Sequence, residues 1–305
     1  MRIGLFHSEA GELRQVVQQA VEAERDGFDG VWFSQIFGAD ALTVIALAGQ
    51  ETERIEFGTS VVPVQTRHPF AFAQQVATVQ AATKGRFTLG IGLSHQPVVE
   101  GMWGLSYDKP ARYMREYLQV LRPLLNDGHV AFQGDVFRVT GNIQRPGPEP
   151  TAVLIAALSP VMLRTAGELA DGTITWMTGA KTIAAHTAPR LAAAAKAAGR
   201  PSPRICVGLP IAVTDDAAAG RERASQIFQV YGQLVNYKRM LDREGAAGPS
   251  DVAIVGNEAE VEQQIRALAA AGATDLLASA YPVGDDATKS FARTRALLKG
   301  LVGKV

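Results

Sequence analysis

The chain has 305 residues, 30 Lys plus Arg against 30 Asp plus Glu, 47% apolar and 20% charged residues, and one cysteine, Cys206. That length suits one large α/β barrel or two ordinary domains, and the apolar content excludes disorder over most of it. Zero formal charge argues against holding nucleic acid or an anionic membrane by bulk charge, and a single cysteine excludes an intrachain disulfide or a multi-cysteine zinc site.

No run approaches the ~18 consecutive apolar residues of a membrane span. The start, Met1-Arg2-Ile3-Gly4-Leu5-Phe6, lacks the apolar core and cleavage site of a signal peptide. A soluble, cytoplasmic protein with neither nucleic-acid nor membrane partner is expected.

Short apolar runs alternate with amphipathic stretches. Strand one is expected at residues 3–6. From 12 to 26 the apolar residues Leu13, Val16, Val17, Ala20, Val21 and Ala23 recur at helical spacing, and Gly27 fits a helix stop. Strand two is expected at 31–33, then a helix near 40–49 with Asp40 as N-cap. Strand three spans 55–62 and is expected to stop at Pro63. A helix covers 69–82, strand four 86–92 and a helix 110–125. Residues 129–141 alternate around Gln133-Gly134-Asp135 and read as a hairpin insertion. Strand five is expected at 153–156, a helix at 160–169, strand six at 172–176, an Ala-rich helix at 183–198 and strand seven at 204–213. Residues 216–244 read as helical. Asn257 with Glu260 makes a capping-box-like start to a helix through Ala271. Strand eight spans 275–279, and a last helix 286–301.

Eight strand–helix units with buried, mostly non-alternating strands point to a parallel sheet covered by helices. The count and length predict a closed (β/α)8 TIM barrel, with insertions after strands four and seven, over one domain, residues 1–305.

Barrel chemistry sits at the carboxyl ends of the strands. These exits are His7-Ser8, Ser34-Gln35-Ile36, Gly58-Thr59-Ser60-Val61-Val62-Pro63, Gly90-Ile91-Gly92-Leu93-Ser94-His95-Gln96-Pro97, Leu158-Ser159-Pro160 and Trp176-Met177-Thr178. They offer no carboxylate pair and no His/Asp cluster, so no metal site is expected. Ser94-His95 are neighbours in sequence, which does not make a catalytic dyad, and no Gly-x-Ser-x-Gly elbow is present. Gly90-x-Gly92 lacks the third glycine of a dinucleotide fingerprint; its glycines let backbone approach a ligand or a neighbouring strand. Ser159-Pro160 is a common helix start, and the same geometry points free N–H groups at an anion. Exits poor in ionisable groups suit a bound cofactor that brings its own chemistry.

Three segments, Gly85-Arg86-Phe87-Thr88-Leu89-Gly90-Ile91-Gly92, Gly58-Thr59-Ser60-Val61 and Leu163-Arg164-Thr165-Ala166-Gly167-Glu168-Leu169-Ala170-Asp171-Gly172, resemble the bacterial-luciferase-like superfamily. So does the hairpin Phe132-Gln133-Gly134-Asp135-Val136-Phe137-Arg138. The resemblance runs from the first strand to the last helix. Within it, Leu93-Ser94-His95-Gln96-Pro97-Val98-Val99-Glu100-Gly101 resembles the branch using coenzyme F420, a deazaflavin; FMN-using relatives share the barrel.

The resemblance implies an F420-dependent oxidoreductase with a small-molecule substrate, FMN being the alternative cofactor, and a homodimer. It implies a non-proline cis peptide at Ser60-Val61 backing the ring, with Gly92, Leu93 and Ser94 beside it. His95 occupies the position of a catalytic Glu in the F420-dependent sugar-phosphate dehydrogenase, so proton transfer is its implied role, with packing beside the ring as the alternative. Leu158, Ser159 and Pro160 match a phosphate-binding turn. Trp176, Met177 and Thr178 are implied to face the pocket mouth, and Trp176 equally suits core packing. The dehydrogenases carry Asp-His where this chain has Gln35 and Ile36, so their mechanism does not transfer, although Gln35 keeps a hydrogen bond available to the ring edge. His7 is expected at the pocket or in packing, and His68 in packing or at the surface. An FMN-dependent monooxygenase and a non-catalytic cofactor carrier remain open alternatives.

Overall fold

A computed structural model of the chain describes residues 1–7 and 11–305; Ser8, expected at the first strand exit, lies outside them. The elements follow in order: β1 (Arg2–His7), α1 (Leu13–Arg25), β2 (Gly30–Phe33), α2 (Ala41–Gln50), β3 (Glu56–Thr59), β4 (Val62–Pro63), α3 (Pro69–Ala82), β5 (Phe87–Gly92), α4 (Gln96–Gly101) and α5 (Pro110–Asp127). The hairpin β6 (His129–Gln133) and β7 (Arg138–Asn142) precedes β8 (Ala152–Ala156), α6 (Pro160–Leu169) and β9 (Gly172–Trp176). Next come α7 (Ala180–Thr182), a π-helical turn (Ile183–Thr187), α8 (Ala188–Ala197) and β10 (Arg204–Val213). The chain ends with α9 (Ala217–Phe228), a 3-10 turn (Gln229–Gly232), α10 (Val235–Glu244), α11 (Pro249–Val252), β11 (Ile254–Gly256), α12 (Glu258–Ala270), β12 (Asp275–Ala280) and α13 (Ala287–Leu301).

Eight parallel strands, β1, β2, β3, β5, β8, β9, β10 and β12, pair in that order, and β12 returns to β1 to close the (β/α)8 barrel. Inside it, Trp32, Leu154, Ile174, Cys206 and Leu277 form one cluster; a larger one, with Ile3, Leu5 and Phe33, fills the space between strands and helices. At the amino-terminal end Arg204 bridges Glu56 (2.8 Å) and Asp275 (2.6 Å) across Trp32. Burial raises the Asp275 carboxyl, but the bond and charge of Arg204 outweigh this and hold it below the usual range. Among the described residues no helix is long and apolar enough to cross a membrane.

Strand three departs from expectation. Pro63 does not stop it: the chain bulges at Ser60-Val61 and resumes as β4, pairing Val62 with Ile91 and Pro63 with Gly92. The bulge explains the glycines. A Cβ on Gly90 would lie 1.9 Å from the Thr59 carbonyl oxygen and 2.4 Å from Ile174 Cδ1; on Gly92 it would lie 2.6 Å from Val61 Cγ2. The Thr59 hydroxyl donates to the Gly90 carbonyl (2.7 Å) and accepts from its N–H (2.8 Å).

Both expected caps form: Asp40 accepts from the Thr43 N–H, and Asn257 and Glu260 make a reciprocal capping box. The expected hairpin is held by Glu116, which accepts from the N–H groups of Asp135, Val136 and Phe137 (2.8–3.1 Å). Residues 216–244, read as helical, form two helices joined by the 3-10 turn.

Candidate active site

A cavity of about 970 Å³ opens at the carboxyl ends of the strands, within the range of roughly 300–1,000 Å³ typical of small-molecule sites. One wall is aromatic. Phe6 from β1 stacks on Trp176 from β9 at 5.3 Å. Trp176 meets Tyr231 (5.7 Å), Tyr231 meets Tyr237 (5.3 Å), and Tyr237 meets His95 (5.7 Å). Gly208 makes room for the indole, since a Cβ there would lie 2.8 Å from Trp176 Cε3. Ser60 and Val61, whose peptide bond is cis, also line the cavity.

Of the residues singled out in the sequence, His7, Gln35, Ser60, Val61, Ser94, His95, Leu158 and Trp176 line this cavity. His95 caps α4 without a side-chain cap bond, and burial lowers its imidazole pKa, favouring the neutral ring. Gln35 also accepts from the Ala41 N–H at the start of α2 (3.2 Å). Trp176 Nε1 is buried without a hydrogen-bond partner among the described residues. Ser94, just past β5, has φ +55°, a left-handed conformation that costs about 1–3 kcal/mol for a non-glycine residue.

Six expected residues, Gly92, Leu93, Ser159, Pro160, Met177 and Thr178, do not line the cavity. Gly92 is buried in β5 against the bulge. Leu93 packs on the outer core, and its carbonyl accepts from Gln65 Nε2 (2.6 Å). Ser159 caps α6 through the Met162 N–H (3.3 Å), with Pro160 at the first helical position. The preceding Leu158 carbonyl accepts from His186 Nε2 (2.8 Å). Met177 and Thr178 are fully buried away from the mouth: Met177 adopts φ +53°, which turns its side chain into the outer core, and the Thr178 hydroxyl donates to the Trp176 carbonyl (3.1 Å). His68 lies outside the site as the α3 N-cap, its Nδ1 accepting from the Phe70 N–H (3.3 Å).

Sequence reasoning missed Phe6, Trp103, Tyr231, Tyr237 and Arg295, all in the cavity wall. Phe6 had a signal, being the last residue of an expected strand. The others come from insertions and the last helix, where position relative to the barrel mouth depends on packing. His7, His95 and Arg295 are the lining groups other than tyrosine that titrate or carry charge, and no group of three or more His, Cys, Asp or Glu converges on one point among the described residues. The site can bind a largely apolar ligand and handle one proton at His95, but its own side chains hold no redox group.

Comparison with known proteins fits that gap. The chain is 25% identical to the 5,10-methylenetetrahydromethanopterin reductase of Methanolobus tindarius, over 98% of this chain and 91% of that one. It is 34% identical to the F420-dependent glucose-6-phosphate dehydrogenase of Intrasporangium calvum, over 53% of each. The solved structure of an F420-dependent secondary alcohol dehydrogenase in complex with an F420-acetone adduct superposes with a TM-score of 0.82, at 20% identity and 97% coverage of both chains. Residues 1–292 match the family described as luciferase-like monooxygenase, and the chain belongs to that family.

Proposed function

We propose that the chain is an oxidoreductase that uses coenzyme F420 to pass hydride between C5 of the deazaflavin and a small organic substrate. The observation that carries this reading is the cavity itself: large, aromatic-walled, poor in ionisable groups, with an unpartnered indole N–H. Such a lining fits a flat, mostly apolar ring with a few polar edge atoms. Ser60, Val61, Ser94, Leu158 and Trp176 would hold the ring. The Val161 N–H in the first turn of α6, beyond Ser159 and Pro160, would receive the phosphodiester.

The bound deazaflavin supplies the hydride chemistry. The chain's residues position substrate beside it and exclude water, and His95, neutral near pH 7, takes or returns a proton at the substrate. We also propose a homodimer, checked by light scattering.

The test is fluorescence titration with F420 and FMN in parallel. Micromolar, selective F420 binding is expected, with turnover of an enone, imine or alcohol lost in His95→Ala. Preference for FMN with oxygen consumption would replace this reading with a monooxygenase, the chemistry in the family's description. Tight F420 binding without turnover across the substrate panel would make the chain a carrier. Binding of neither would sink the cofactor reading.

A further inference from the structure

The cavity has a second arm. Along β1 the side chains alternate: Leu5 belongs to the outer core and Phe6 packs against the barrel interior. His7 therefore falls on the outer side, its ring 6.2 Å from Phe33 of that outer core. The cavity follows it out of the barrel into the cleft between α1 and α13, where Gln19, Phe291, Ala292, Arg295 and Leu298 line it.

Three polar atoms lining this arm are buried without a hydrogen-bond partner among the described residues: His7 Nε2, Gln19 Oε1 and Arg295 Nη2. Orphaned buried polar groups are uncommon, and three on one cavity arm call for a ligand or ordered water. The Arg295 guanidinium is held on its Nε side. Its Nε donates to Asp26 (2.6 Å), and its carbon lies 5.5 Å from the Phe28 ring centroid. Asp26 also binds Lys299 (3.0 Å). Among the described residues Asp26 thus faces two cations, Arg295 at the arm and the half-exposed Lys299 beside it, and with His7 neutral these groups carry a surplus of one positive charge.

We propose that this arm binds the carboxylate of a small apolar acid. A monoanion balances the surplus, whereas a phosphate dianion exceeds it. Arg295 Nη2 donates, neutral His7 donates as its Nε2–H tautomer, and the Gln19 carboxamide can present its NH₂. Leu5, Phe291, Ala292 and Leu298 suit the acid's hydrocarbon part.

The proposal does not depend on the deazaflavin reading, and its test uses the protein without cofactor. Propionate, and propionamide as the neutral control, are titrated into ¹⁵N-histidine-labelled protein while the His7 ring resonances are followed by NMR. Propionate is expected to shift them saturably, with propionamide at least about tenfold weaker. Gln19→Leu should weaken propionate several-fold, and Arg295→Gln should abolish binding. Because Arg295 also holds Asp26, Gln19→Leu keeps the test decisive should Arg295→Gln fail to fold. Equal binding of acid and amide, an unmoved His7 resonance, or unchanged propionate affinity in Gln19→Leu would overturn the proposal and leave the arm to ordered water.

Discussion

The buried imidazole of His7 makes a specific demand on stability in mild acid. Burial, assisted by the positive charge of Arg295, lowers its pKa from 6.5 to about 4. The folded protein therefore binds fewer protons than the unfolded chain between those values. Stability is unaffected by His7 above pH 6.5, falls as pH drops through the window, and levels off below about 4. At about 1.4 kcal/mol per pKa unit the full penalty is about 3 kcal/mol, and at pH 5 it works out at about 2 kcal/mol. The assay is urea unfolding of wild type and His7→Leu between pH 4.5 and 7.5. The two differ in what leucine gains or loses by packing, but that difference is independent of pH. His95 and His186, also lowered by burial, titrate in both proteins and cancel. The wild type should lose about 2 kcal/mol relative to the variant between pH 7 and pH 5. A difference that stays flat over that range would refute the argument, showing that the imidazole is hydrated or paired in solution.

Three further outcomes follow from particular contacts. Gly90→Ala places a methyl 1.9 Å from the Thr59 carbonyl oxygen, and overpacking of that kind should cost about 3 kcal/mol or more; an unchanged urea midpoint would show that the bulge yields freely. Glu116→Gln leaves one acceptor oxygen for three turn N–H groups. It should cost about 1–2 kcal/mol and speed hydrogen exchange at residues 135–137 while barrel amides stay protected; uniform exchange changes would contradict a local role. Trp176→Phe keeps an aromatic ring but removes the unpartnered N–H. F420 affinity should fall about three- to tenfold, the worth of one hydrogen bond, with the melting temperature of the free protein no lower; equal affinity would mean that the indole N–H does not reach the cofactor.

The barrel was legible because its strands are buried on both sides. Residues 204–213 form a continuous apolar strand bounded by Arg204 and Thr214, and β10 spans the same residues. Caps were legible too, since Asp40 and Asn257 act within their own turn. What escaped notice depends on contacts distant in sequence. Proline normally ends a strand, yet Pro63 pairs with Gly92 because glycines in β5 let the bulge approach. The six-residue α4 is too short to display a helical period. Gly232, at the end of the 3-10 turn, was the available sign that 216–244 was two helices.

The site divides along the same physical line. In a strand, a period of two fixes where each side chain points, and Trp176, the last residue of β9, lines the cavity. One residue later the chain has left the strand, and a left-handed turn at Met177 buries its side chain in the outer core. Adjacency to a strand exit is therefore weaker grounds for a site than membership of the strand itself. His7 shows the complementary limit. As the last residue of β1 it lines the cavity, but alternation takes it out of the barrel, toward Gln19 and Arg295 on two helices. Placing it at the cavity required the strand alone; what it faces there required the placement of Gln19 on α1 and Arg295 on α13 beside β1, which no local pattern in β1 encodes.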